Sequence, residues 1–345
     1  MKAVVKHSRN GKPFFRCEDV TEPRVTNPGD VSIAIKSIGV CSSDIHVLHG
    51  AMAIPDGNVV GHEFSGVIRA VGPAVRGLRR GDRVVSELAV GKCGICAMCR
   101  TGRYQFCDRK RPPGWASQGV YTESIVVPAD LVHKVPRGVS FEVAALAEPT
   151  AVCVYGCLER GRIKPRESTV IFGLGSIGLL TLIVLKDAGV KHVLCVGPAT
   201  KGRRRLDLAW ELGADSVTTP EDDLAAMLEQ TTGRSKADCV IDCSGAAQAI
   251  NQGLRLLRKD GTFVALGIAQ DPTIPFAFNT GVLNALRIVF SCTSSHSAWQ
   301  HTVPLLKRRQ DAFARLITHR LPLSEWKTAF TALETREAVK AMLCP

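Results

Sequence analysis

The sequence predicts an α/β protein in two parts, a β-rich N-terminal half followed by a doubly wound parallel sheet. Three observations predict it. Short apolar segments separated by turn residues fill the first forty or so positions. Near the midpoint, an apolar stretch, Thr169 to Phe172, runs into Gly173-x-Gly175-x-x-Gly178 and then a helix-compatible segment to about Lys186. From there to about residue 290, strand-like and helix-like segments alternate.

Composition narrows the function classes. The 345 residues suffice for two domains, and 45% hydrophobic with 22% charged residues is ordinary for a globular chain. The formal charge is 44 − 32 = +12, but aromatics make up only 6% and the basic residues are dispersed, which argues against nucleic-acid binding. Met1-Lys2-Ala3-Val4-Val5-Lys6-His7 does not read as a secretory signal. The longest apolar run, Val170 to Leu185, is glycine-interrupted and short for a bilayer. No membrane association and a cytoplasmic location are therefore expected. The thirteen cysteines are an odd number, which speaks against a pure disulfide framework.

In chain order, Ala3-Val4-Val5 and Val31-Ser32-Ile33-Ala34-Ile35 read as strands, with a turn at Asn27-Pro28-Gly29-Asp30. Cys41 and His46 follow, then Gly61-His62-Glu63 after a loop. Brought together, the thiolate of Cys41, the imidazole of His62 and the carboxylate of Glu63 would form a zinc site with an open fourth position, suited to Lewis-acid chemistry. The competing reading makes Cys41 a small buried residue and His62 a surface histidine. Cys93, Cys96, Cys99 and Cys107 are more specific: C-x2-C-x2-C-x7-C closes a tetrahedral shell within one loop. An iron–sulfur cluster fits less well, because Asp108 rather than proline follows Cys107.

Gly119 to Pro128 returns to strand patterning, and Phe141 to Cys157 reads as helical. Glu148 within it, after the apolar run Ala144 to Ala147, either pairs at the surface or points into a polar site. In the glycine motif, Gly173 permits a tight turn, Gly175 admits a pyrophosphate against the backbone, and Gly178 lets helix and strand pack closely. Further strands are expected at His192–Val196, Ala237–Cys243, 262–266 and 287–292, with helices at 203–212 and 246–257. Beyond about Ser297 the pattern is helical, with an extended stretch near Ile317 to Leu321.

Together these motifs resemble the zinc-dependent medium-chain dehydrogenase/reductase family, most closely its sorbitol/polyol (L-iditol) dehydrogenase branch. The likeness runs over nearly the whole chain: Gly39-Val40-Cys41-x-Ser43-Asp44-x-His46, Gly61-His62-Glu63, Gly81-Asp82-Arg83-Val84, the four cysteines, Glu148-Pro149, the glycine motif and Leu212-Gly213-Ala214-Asp215. The resemblance implies a GroES-like catalytic domain over 1–150, with a structural-zinc lobe at about 91–110. A Rossmann coenzyme domain would follow over 151–290, and a segment over 291–345 would return to the catalytic domain. An active site would lie in the cleft between the domains. It also implies two zinc ions per chain. Cys41, His62 and Glu63 would hold the catalytic ion, with Glu148 as a direct or water-mediated ligand, and the four cysteines would hold the other. Ser43 and His46 match the family's proton relay. The implied coenzyme residues are Gly173, Gly175, Ser176, Ile177, Gly178, Ser244 and Leu266, to which a departure from the family adds Gly197, Arg203, Arg204 and Arg205. The partners implied are a small-molecule alcohol or polyol and further copies of the chain, as a homodimer or homotetramer.

The sequence departs from the family in two places. NAD-preferring members carry an acidic residue where this chain has Gly197, and Lys201, Arg203, Arg204 and Arg205 follow. NADP is therefore favoured over NAD, since a missing carboxylate removes repulsion and arginines bind a 2′-phosphate. Alternatively these arginines are the solvated start of a helix. The loop between Cys41 and His62 is also shorter than in typical sorbitol dehydrogenases, so the polyol is left open. The leading activity is oxidation of a secondary alcohol, on a polyol, sugar or amino-alcohol, to the ketone. The alternatives are a threonine- or aminocyclitol-type dehydrogenase and a non-catalytic coenzyme-binding zinc protein.

Overall fold

The computed structural model describes residues 1–199 and 203–345. Thr200, Lys201 and Gly202, within the stretch after Gly197, lie outside the described residues. The chain forms two compact units. The first comprises Met1–Glu148, Ser295–Gln310 and Ile317–Pro345; the second comprises Pro149–Ser294 and Asp311–Leu316. Residues 291–294 and 311–316 thus go with the second unit rather than with the C-terminal segment.

In the first unit, strands β1 (Lys2–Arg9) and β2 (Lys12–Asp19) form an antiparallel hairpin turned at Asn10-Gly11, both at positive φ. The remaining strands are β3 (Asp30–Gly39), β4 (Glu63–Val71), β5 (Arg83–Ser86), β6 (Ser124–Pro128) and β7 (Val132–Lys134). Antiparallel pairing dominates, as expected where short connections join consecutive strands. Val31, Ile33, Ile38, Phe64, Tyr121 and Phe330 are among the side chains of its core. The helical run Phe141–Arg160 is long and apolar enough to cross a bilayer, but 78% of its apolar 18-residue stretch is buried inside the protein, as in a core helix.

The second unit is built on β8 (Ser168–Phe172), β9 (His192–Val196), β10 (Ser216–Thr218), β11 (Ala237–Asp242), β12 (Leu257–Ala265) and β13 (Arg287–Phe290). All pair in parallel, in the order β10-β9-β8-β11-β12-β13. Renumbered from one, that is 3-2-1-4-5-6, the doubly wound dinucleotide-binding order. Every residue of β8 and β11 is buried, because helices cover both faces of such a sheet. Strand order reverses between β8 and β11, which opens a crevice at their carboxyl ends.

Strand β10 and the helix Leu224–Thr232 were not legible in the sequence pattern. The helix is set by local chemistry: the Asp223 carboxylate accepts from the Ala225 and Ala226 N–H groups, and Gly233 ends it at φ 71°. The C-terminus differs more from the sequence expectation. After β14 (Ile317–Pro322) the chain forms β15 (Lys340–Cys344), which lies between β14 and β3 in the sheet of the first unit. A run as short as Ala341-Met342-Leu343 has no diagnostic period, so its partners decide its conformation.

Candidate functional site

The first site is assembled by the β3–β4–β15 register. Gly39, at the end of β3, lies opposite Glu63 on β4 and opposite Met342 on β15. Cys41 stands two residues beyond the end of β3 and caps the helix Ser42–Leu48, while His62 immediately precedes β4. Ligand atoms of Cys41, His62 and Glu63 consequently lie within 4.8 Å of one another. Two glycines make room for them. A Cβ on Gly39 would fall 2.1 Å from Glu63 Oε2, and one on Gly61, at φ +85°, would fall 2.0 Å from the Tyr121 ring.

Asp44, not assigned a role from sequence, organises this cluster. Its Oδ2 accepts from the Cys41 N–H at 3.1 Å and from the Tyr121 hydroxyl at 2.8 Å. Its Oδ1 stands 3.6 Å from His62 Nδ1, close enough to act by charge but beyond hydrogen-bond length, and that buried ring nitrogen has no hydrogen-bond partner. Burial works against a charged imidazole, but Asp44 and Cys41 more than offset it, so His62 titrates well above the usual histidine range. Burial raises the Asp44 carboxyl. Lys340 is the second residue missed by sequence reading: its Nζ lies 2.5 Å from Glu63 Oε2, with both side chains buried.

The donor set fits a metal ion. With Oε2 engaged by Lys340, the buried Glu63 Oε1 has no hydrogen-bond partner. Together with a thiol and an imidazole nitrogen, that is the sulfur, nitrogen and oxygen set zinc accepts. Glu148 is buried in the first turn of the helix Ala147–Val154 but does not join the 4.8 Å group. It shares the group's field: burial, then the Glu63 charge, push its carboxyl up to about 7 against the attraction of His62. Ser43 Oγ is buried without a hydrogen-bond partner, and His46, on the same helix, is half-buried.

The cysteine lobe gathers all four sulfurs within the same 4.8 Å. Cys93 Sγ lies 3.9 Å from Cys99 Sγ and 3.6 Å from Cys107 Sγ. Four sulfurs at zinc–thiolate bond length stand about 3.8 Å apart, so the spacing suits an S4 shell. Backbone N–H groups of Cys93, Cys96 and Cys99 point at sulfurs, each at 3.4 Å, as thiolates require. The amides of Ile95 and Cys96 lower the Cys93 thiol to about 6.

In the second unit, Gly173 follows β8 at φ +90°, and a Cβ there would crowd Ser244 at 2.9 Å. Gly175 sits at the N-terminus of the helix Ser176–Asp187, where an added Cβ meets no atom within 4 Å: open space for a ligand against the backbone. Ile177 and Gly178 lie in the first turn of this helix, where a Cβ on Gly178 would fall 1.9 Å from the Gly173 carbonyl oxygen. Ser244 is fixed by the buried Asp242, whose Oδ1 accepts from its N–H and hydroxyl at 3.0 and 2.6 Å. Leu266 directly follows β12. Gly197 directly follows β9, so no carboxylate stands at that strand end. Arg203 and Arg204 are exposed and Arg205 is half-buried at the start of the helix Arg203–Glu211; Arg203 reaches Asp207 at 3.4 Å.

Comparison with known proteins follows this division. Residues 27–137 match the Alcohol dehydrogenase GroES-like domain family, and residues 142–343 match the Glucose dehydrogenase C-terminus family. The chain is 33% identical to a sorbitol dehydrogenase of Halalkalibacterium halodurans, covering 100% of this chain and 99% of the relative. It is 32% identical to a D-arabitol-phosphate dehydrogenase of Enterococcus avium, covering 99% and 97%. A solved structure from Sinorhizobium meliloti 1021 bound to NADP superposes with a TM-score of 0.86 at 28% identity, over 100% of this chain and 99% of that one.

Proposed function

Because this chain belongs to the zinc-type medium-chain dehydrogenase family, near its polyol dehydrogenases, we propose that it oxidises a secondary hydroxyl of a polyol or sugar alcohol to the ketone, reversibly, with NAD(P) as hydride acceptor. The observation that carries this reading is the convergence of Cys41, His62 and Glu63, with Glu63 Oε1 buried and unpartnered.

When bound, zinc supplies Lewis acidity toward the substrate hydroxyl, and the nicotinamide supplies the hydride acceptor. The chain supplies the rest. Cys41, His62 and Glu63 hold the ion, Asp44 orients His62, and Lys340 restrains Glu63 through Oε2. Glu148 acts from outside that set, as a buried carboxylate able to hold a water beside it. The Ser43 hydroxyl takes the proton leaving the substrate, and His46 passes it toward solvent. The four cysteines hold a second zinc that pins the lobe.

Coenzyme would bind at the carboxyl ends of β8 and β11, its pyrophosphate over Gly175, Ser176 and Ile177. We read the coenzyme as NADP in preference to NAD, on the absence of a carboxylate at Gly197 and the exposure of Arg203 and Arg204. The assembly we propose is a homodimer or homotetramer. Phe278, Val282, Leu283 and Phe290 are exposed on β13, the edge strand of its sheet, and on the helix Phe278–Leu283 shortly before it; a second copy would cover them.

The reading is tested by following reduced-nicotinamide absorbance across a panel of polyols, sugar phosphates and amino-alcohols with NAD⁺ and NADP⁺ in parallel. Turnover of a polyol, fastest with NADP⁺, is the expected result. Turnover restricted to amino-alcohols would move the chain to the threonine-type alternative. Equal affinity for NADPH and NADH would remove the arginine argument.

A further inference from the structure

We propose that Glu87, His133 and His296 form an additional divalent-metal site of the zinc type in the first unit, apart from both cysteine-containing clusters. Ligand atoms of the three residues lie within 4.8 Å of one another. Glu87 follows β5 and His133 lies on β7; the β5–β7 ladder pairs Val85 with His133, and the Glu87 N–H extends it to the Leu131 carbonyl. His296 opens the helix His296–Arg308, whose Ser295 cap accepts from the Ala298 N–H at 3.0 Å. Regular elements, rather than flexible side chains on one loop, therefore set the convergence.

The geometry centres on one oxygen. Glu87 Oε1 lies 2.8 Å from His133 Nε2 and 2.6 Å from His296 Nδ1. Its other oxygen accepts from the Tyr104 hydroxyl at 2.9 Å. Both imidazoles also have close neighbours. The Trp299 ring stacks on His133 at 9° between planes, and Gln300 Nε2 lies 3.2 Å from His296 Nε2. With its amide turned, the Gln300 oxygen would accept a hydrogen bond from the Nε2–H and leave Nδ1 free for a metal.

Charge points the same way. The Glu87 side chain is 3% exposed, and among the described residues no lysine or arginine pairs with it. A buried carboxylate without a fixed cation is costly, and a bound metal ion would offset that cost. Two imidazole nitrogens and one carboxylate oxygen are a donor set that Zn²⁺ accepts, with water completing the shell. Bonds of zinc length would place such ligands about 3.3 Å apart, so the cluster must open by roughly half an ångström. His296, 43% exposed, is the least enclosed of the three. That opening makes the site weaker than the two cysteine sites, filled only when zinc is supplied. Once filled, it would clamp β7 to the helix His296–Arg308 and, through Tyr104, to the base of the cysteine lobe.

The test uses the full chain, freed of loosely held metal, then equilibrated with added Zn²⁺ and assayed for bound metal. The wild type should take up one zinc ion per chain more than either His296→Gln or His133→Gln. Cobalt added to the wild type before zinc is resupplied, with only its tightly held zinc in place, should give visible ligand-field bands without the thiolate charge-transfer absorption that a cysteine site would add, a readout that needs no variant to fold. Equal zinc uptake by wild type and variants, or added cobalt carrying a thiolate band, would overturn the proposal and leave the cluster a hydrogen-bonded carboxylate between two histidines.

Discussion

Lys340 Nζ lies 2.5 Å from Glu63 Oε2, and the two side chains are 2% and 1% exposed. The pair joins the last strand of the chain to the first residue of β4. Removing one partner of a sealed ion pair leaves an uncompensated charge, which costs about 3–5 kcal/mol. Lys340→Met should therefore lower the stability of the metal-depleted protein by that amount, and Lys340→Arg should recover part of it. Denaturant unfolding of the three proteins checks this; a Met variant as stable as the wild type would show that Glu63 does not depend on Lys340.

Asp44 accepts hydrogen bonds from the Cys41 N–H and the Tyr121 hydroxyl and stands 3.6 Å from the His62 ring. A carboxylate behind a ligating histidine sets its tautomer and basicity, and loss of such a partner typically weakens metal binding or activity about 10–100-fold. Asp44→Asn should weaken zinc retention at the Cys41 site against a chelator by that factor while leaving the cysteine lobe loaded. Tyr121→Phe, which removes only a donor to Asp44, should have a smaller effect.

A third prediction concerns acid stability of the second unit. Burial pushes the Asp238 carboxyl up, but Arg258 at 2.6 Å, the Ser168 N–H at 2.8 Å and Arg234 at 2.9 Å outweigh it and hold the group at about 2. A depressed folded-state value adds stability that is complete above the unfolded carboxylate range and disappears as pH falls toward the folded value. The contribution is at most about 2 kcal/mol, since the outer ends of both arginines are open to solvent screening. Asp238→Asn should be less stable than the wild type at neutral pH by up to that amount. The difference should shrink between about pH 4 and pH 2, which unfolding measured across that range reads directly.

Much of the fold and site was legible because its signals are contiguous. The cysteine spacing and the glycine turn each sit within one loop, and β8, β9 and β11 announce themselves as apolar runs between glycines. What escaped depends on residues distant in sequence. Nothing near Lys340 marks it as the partner of Glu63, since their meeting requires β15 to enter the sheet beside β3. Glu87, His133 and His296 likewise converge only through the β5–β7 ladder and the start of a later helix. Asp44 was within reach, because an acid three residues after Cys41 at a helix start caps that turn.

The central claim is that Cys41, His62 and Glu63 hold the ion on which alcohol oxidation depends. The most direct test compares tightly held zinc and polyol turnover in the wild type and in Cys41→Ser. The account predicts that the variant stays folded, keeps the zinc of the cysteine lobe, loses one zinc ion per chain and no longer turns over. A Cys41→Ser protein that retains both its zinc content and its activity would contradict it.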